Sequence, residues 1–202
     1  MNPYVVTGLV MCGVVLVALI GTAYLAVYFN RRAKADLERL MTPLAGVIDG
    51  EVDLDEAEVK GTYQGNHVMA RMANAAAGTV RLFQIDMIDA AGGVGWNFVY
   101  SRPRKEETVP RVEFESKVMD IRNHLAPLAE ARLSPLNPNA TEWIQLEYSP
   151  DAGYVRFARP MRGRNEIPDA DRFEHYLGYL VELGDTNRAL QEQLRSTSEE
   201  RA

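Results

Sequence analysis

The sequence predicts an α+β protein: a single N-terminal transmembrane helix, then one domain whose antiparallel sheet of about five to six strands is packed by two or three helices. Three observations carry this. Residues 5–29 hold no charged side chain and run into Arg31-Arg32-Ala33-Lys34. Between 59 and 157 several short runs alternate apolar and polar residues, separated by turn residues. Residues 118–128 and 173–194 instead repeat their apolar positions at helical steps. Runs of strands with helices between them, rather than strict alternation, indicate antiparallel pairing.

The first element is the membrane helix. At about 1.5 Å per residue, a 25-residue apolar run reaches past a hydrocarbon core of about 30 Å. Tyr4 at one end and Tyr24, Tyr28 and Phe29 at the other suit the interfacial aromatic belts. A cleaved signal peptide wants a basic start and a shorter core; Met1-Asn2-Pro3 carries no basic side chain and the run is long. Arg31, Arg32, Lys34 and Arg39 all follow the span, so the positive-inside rule puts the N-terminus outside and the rest in the cytoplasm, at a plasma or inner membrane. Gly8 with Cys12, and Ala18, Thr22 and Ala26, recur at four-residue steps, a spacing through which two such helices could pack as a homodimer.

Four segments follow from these signals: an anchor over 1–30, a juxtamembrane helix or stalk over 31–48, a soluble α+β domain over 49–195, and a disordered tail over 196–202. The stalk shows an apolar stripe of Leu37, Leu40, Met41 and Leu44, with Pro43 as a kink and Gly46 and Gly50 as stops. The acidic stretch Asp49 to Glu58 fails the calcium-loop pattern, with Leu54 at the glycine position and Lys60 at the glutamate position, and reads as a solvated connector. Two strands then flank a Gly65-Asn66 turn. Residues 79–89 are apolar on both faces, as a central strand is. Residues 96–100 form the next strand, and 111–115 a short edge strand. A helix opens near Ser116, with Val118, Ile121, Leu125 and Leu128 in phase and Pro127 inside it. A hairpin pairs 144–148 with 155–157 around Pro150 to Gly153. The last helix carries Phe173, Tyr176, Leu177, Leu180, Leu183, Gly184, Asn187, Leu190 and Leu194 on one face, with Asp171 and Glu174 as its capping box. The order of elements resembles the αβββαββα layout of secretion-chaperone-like domains, a likeness of layout that implies a fold and carries no function.

Composition narrows the chemistry. The chain of 202 residues has a net charge of −6, a poor match to nucleic acid. Its one cysteine, Cys12, lies in the apolar run, so the domain has no disulfide, zinc cluster or thiol nucleophile of its own. His67, His124 and His175 lack metal-ligand spacing, and Gly93-Val94-Gly95 lacks the third glycine of a dinucleotide loop, having Phe98 there. The sequence therefore predicts no catalytic residue, no metal and no cofactor.

Candidate binding residues are Trp96, Trp143 and Tyr154 as aromatic surface, and Arg159, Arg162 and Arg164 as a basic loop, with a second basic loop at Arg102, Arg104 and Lys105. Asp86 and Gln84 share one face of the central strand, where a buried carboxylate must be paired or change its pKa. The functional expectation is a membrane-anchored adaptor or accessory subunit. It touches the bilayer through residues 4–29 and an unidentified membrane or cytoplasmic protein through its domain. The alternatives are a membrane-tethered enzyme on a lipid or envelope substrate and a sensor of anionic lipid.

Overall fold

The computed structural model describes residues 3–75, 80–88, 93–101, 103, 110–133 and 143–199. By its internal contacts the chain divides into two compact units, Met1–Arg39 and Leu40–Ala202.

The first unit is helical. Helix α1 (Pro3–Val47) is the one helix, among the described residues, long and apolar enough to cross a membrane. Its large side chains are bare: Met11, Val17, Leu19, Ile20, Tyr24 and Phe29 are each at least 60% exposed. In water that much uncovered apolar surface is strongly unfavourable. The Thr22 hydroxyl donates to the carbonyl oxygens of Ala18 (3.0 Å) and Leu19 (2.9 Å), so its polar atom is satisfied within its own helix. The last turns of α1 belong to the second unit. Met41 and Leu44 there, with Ile48 just beyond, are fully buried.

The second unit is built on one eight-stranded, wholly antiparallel sheet. Its strands are β1 (Glu51–Asp53), β2 (Glu58–Tyr63), β3 (Asn66–Asn74), β4 (Arg81–Ile88), β5 (Trp96–Ser101), β6 (Arg111–Ser116), β7 (Trp143–Ser149) and β8 (Tyr154–Met161), with α2 (Met119–Leu133) and α3 (Ala170–Glu199). Their spatial order is β1-β2-β3-β4-β8-β7-β5-β6, so the β7–β8 hairpin is inserted between β4 and β5.

Eight strands replace the expected five to six. The acidic stretch is no simple connector: it supplies β1, where Glu51 stands opposite Lys60 and Val52 opposite Val59. Asp53 Oδ1 accepts the backbone N–H groups of Asp55 and Glu56 (2.9 and 3.2 Å), an Asx turn that Ala57, at φ 53°, completes. The β2–β3 turn is Gln64-Gly65, not Gly65-Asn66. Both have positive φ (49° and 82°), as the tight hairpin turn requires. Val59 consequently faces Ala70. Gly61 explains part of this pinning. A Cβ there would collide with the Ile48 carbonyl oxygen, where the chain leaving α1 lies against β2 and Thr62 N–H donates to that same oxygen (2.6 Å).

The helices cover one sheet face. Phe83 meets Phe173 edge-on, Phe157 stacks on Tyr176 at 4.7 Å, and Trp96 Nε1 donates to Asn187 Oδ1 (2.9 Å). Gln191 clamps Val94, two residues before β5, through both backbone groups: its Oε1 accepts Val94 N–H (2.8 Å) and its Nε2 donates to Val94 O (2.9 Å). The α3 stripe is that expected as far as Leu190, with Leu194 only half-buried and with Tyr179 and Gln191 added to the buried set. Its cap is Asp169 rather than Asp171: Oδ1 accepts the Arg172 N–H at 2.9 Å. The helix also continues through 196–199, expected as disordered tail.

Candidate functional site: the uncovered sheet face

The other sheet face has no helix over it among the described residues, and its side chains line up in rows that follow the register. One row reads Met69, Asp86, Arg156, Glu147, Asn97, Glu115, from β3 through β4, β8, β7 and β5 to β6. Alternation along each strand puts Gln84 and Arg71 in the next row, with Glu58 opposite Arg71.

Asp86 is the centre of the polar network. It is 3% exposed, and both its oxygens are held. Arg156 Nε donates to Oδ1 at 2.7 Å and Nη2 to Oδ2 at 3.0 Å, a two-pronged grip. Gln84 Nε2 donates to Oδ2 at 2.7 Å, and Arg71 Nη2 stands 3.6 Å from it. Burial on its own lowers the pKa of Arg156, but the hydrogen bond and charge of Asp86 outweigh it and hold the guanidinium above its ordinary value. The Arg156 guanidinium also lies 4.2 Å over the Tyr154 ring. At the β2 end, buried Glu58 pairs with exposed Lys60, whose ammonium this contact raises above its ordinary pKa. Gln84 and Asp86 are thus both buried, and a group so fully engaged makes a poor general base.

The far end of the same face differs. Across β7, β5 and β6 stand Glu147, Glu115 and Glu113. The last two face Asn97 and Val99, not cations. Gln145 Nε2 donates to Asn97 Oδ1 at 2.9 Å, bridging β7 and β5 on this face. At this end a cleft of about 810 Å³ opens, lined by Trp96, Phe114, Met119 and Pro150 with Glu115 and Glu147 on the sheet side and Lys117 and Arg122 on the α2 side.

The expected binding residues scatter. Trp143 and Tyr154 lie half-buried on the uncovered face. Trp96 does not: it is 3% exposed on the helix side, bonded to Asn187 and stacked with Phe114. Arg159 is not in a loop, because β8 extends to Met161. It is 8% exposed on the helix side and donates to the Glu166 carbonyl. Arg162 follows β8 and Arg164 opens a short 3-10 turn, Arg164–Glu166. Arg102, Arg104 and Lys105 lie outside the described residues. Gly8, Cys12, Ala18, Thr22 and Ala26 are exposed along α1. The histidines sit on three elements: His67 on β3, His124 on α2, where its Nδ1 lies 2.8 Å from the Asp120 carbonyl oxygen, and His175 on α3, all exposed. Among the described residues no three His, Cys, Asp or Glu side chains gather as metal ligands. Sequence reasoning missed Arg71, Arg156 and Glu58; the alternation of Tyr154, Arg156 and Ala158 against Val155 and Phe157 was the available signal.

No protein-family model, curated protein or solved structure matches this chain.

Proposed function

We propose that the chain is a single-pass membrane protein that holds an α+β binding domain in the cytoplasm, acting as a non-catalytic adaptor or accessory subunit of a membrane assembly. The observation that supports it most is the bare apolar surface of α1 from Met11 to Phe29, beside a domain with a separate core of its own. Lipid is the solvent that suits such a helix, since its backbone is satisfied internally. Arg31, Arg32 and Lys34, all exposed, follow it directly and favour the cytoplasmic side. The uncovered sheet face offers a partner side chains, and the terminal strand β6 offers backbone groups along its outer edge.

Two experiments test this in sequence. Alkaline carbonate should leave the full-length chain in the membrane pellet, and protease added to sealed, right-side-out vesicles should spare the domain. Crosslinking in the native membrane should then join it to specific neighbours. Release by carbonate, or a mature chain that begins after Asn30, removes the anchor and the reading with it.

A further inference from the structure

Strand β6 ends the sheet. Its one neighbour is β5, so among the described residues no strand pairs with its outer backbone edge. Arg111, Val112, Glu113 and Glu115 are exposed. On the uncovered side it presents Arg111 at its start and then Glu113 and Glu115. On the other side it presents Val112 and Phe114, the latter stacked on Trp96 at 5.9 Å. No ion pair engages Glu113, Glu115 or Glu147 among the described residues. Arg156, opposite Glu147, is committed to Asp86. The cleft lies at the C-terminal end of β6.

We propose that β6 accepts an extended segment of a partner protein as a ninth strand, and that the segment alternates basic with apolar residues. The proposal rests on the domain being a binding module and names the surface it uses. Strand addition draws its affinity from backbone hydrogen bonds and its specificity from alternate side chains. Lys or Arg on the incoming strand stands opposite Glu113 and Glu115, where an opposite charge is stabilising and a like charge is not. Its intervening residues meet Val112 and Phe114. Six residues of β6 give about 20 Å of pairing edge. The cleft takes a terminal apolar or aromatic side chain against Trp96, Phe114 and Pro150. Lys117, between β6 and α2, and Arg122 on α2 also line it and keep the cations of the segment out along the strand.

The probe is a fluorescein-labelled peptide of three Lys-Val repeats ending in Leu, with a Glu-Val counterpart, titrated onto the full-length protein in nanodiscs of neutral lipid. The basic peptide should bind more tightly than the acidic one by at least about tenfold, and less so as salt is raised. Binding should slow amide exchange within 111–116. The double variant Glu113→Lys, Glu115→Lys should reverse the preference; both side chains are exposed, so its far-ultraviolet circular dichroism should match the parent. Equal affinity for the two peptides, unchanged preference in the double variant, or binding without protection at 111–116 each overturns the proposal. If crosslinking in the membrane finds neighbours while the peptide fails, the surface is wrong and the binding role stands. If both fail, the binding role falls too.

Discussion

The two ends of the uncovered face use charge in opposite ways. Around β3, β4 and β8, Asp86 is gripped by Arg156, bonded by Gln84 and approached by Arg71. Around β7, β5 and β6, Glu113, Glu115 and Glu147 make no ion pair among the described residues, although Arg156 stands opposite Glu147 and feels its charge. The paired end has spent its charges on its own fold. The unpaired end is tied down from behind instead, by Asn187 on Trp96 and Gln191 on Val94. One sheet can therefore be internally satisfied at one end and available at the other.

Substitutions test that contrast, beginning with the largest expected effect. Asp86→Ala strands Arg156 and Arg71 and should cost about 3 kcal/mol, read as a lower urea midpoint by tryptophan fluorescence in mild detergent. Replacing the pair together, Asp86→Leu with Arg156→Met, should recover much of that loss, because the penalty comes from the orphaned charge. A loss for Asp86→Ala no greater than for Glu115→Ala would erase the distinction between the ends.

Asn187→Ala leaves the buried Trp96 N–H without its partner and should cost about 1–3 kcal/mol, with a shifted indole emission. Its effect should report on the β5 end alone, adding to that of Asp86→Ala.

The alkaline limb sharpens the comparison further. Burial raises the pKa of Tyr100, and the nearby Glu130 charge adds to the rise. A phenol whose pKa is higher folded than unfolded gives stability that is complete below its ordinary value near 10. That contribution is lost as pH climbs through the folded value. Tyr100→Phe should therefore weaken the dependence of the urea midpoint on pH above about 10 and leave the neutral region nearly unchanged. Smallest of all, Glu113→Ala and Glu115→Ala should each move stability by no more than about 0.5 kcal/mol. A larger loss would mean these carboxylates are already engaged within the fold.

Much of the architecture was legible. An uncharged run bounded by arginines marks α1, residues apolar on both faces mark β4 as an inner strand, and a nine-position stripe marks α3. What escaped depends on partners distant in sequence. Acidic residues disfavour a strand, yet β1 forms because Lys60 and Val59 stand opposite it. Arg159 sits among turn-forming residues, but β4 stays paired with β8 as far as Met161, so the strand extends past it. Trp96 reads as surface aromatic until Asn187, 91 residues away, is seen to hold its N–H. The candidate site was legible only at Gln84 and Asp86, whose shared face follows from period-two alternation. Their arginine partners come from two other strands, and strand order has no local signature.

The inserted hairpin has a consequence for biosynthesis. A ribosome that has released residues up to Ser116 has made two separate half-sheets, β1 to β4 and β5 with β6, each with a bare inner edge. Nothing joins them until Trp143 to Met161 emerges and slots between. A nascent chain stalled before that point carries two unpaired seams, so completing the sheet depends on its last third being translated.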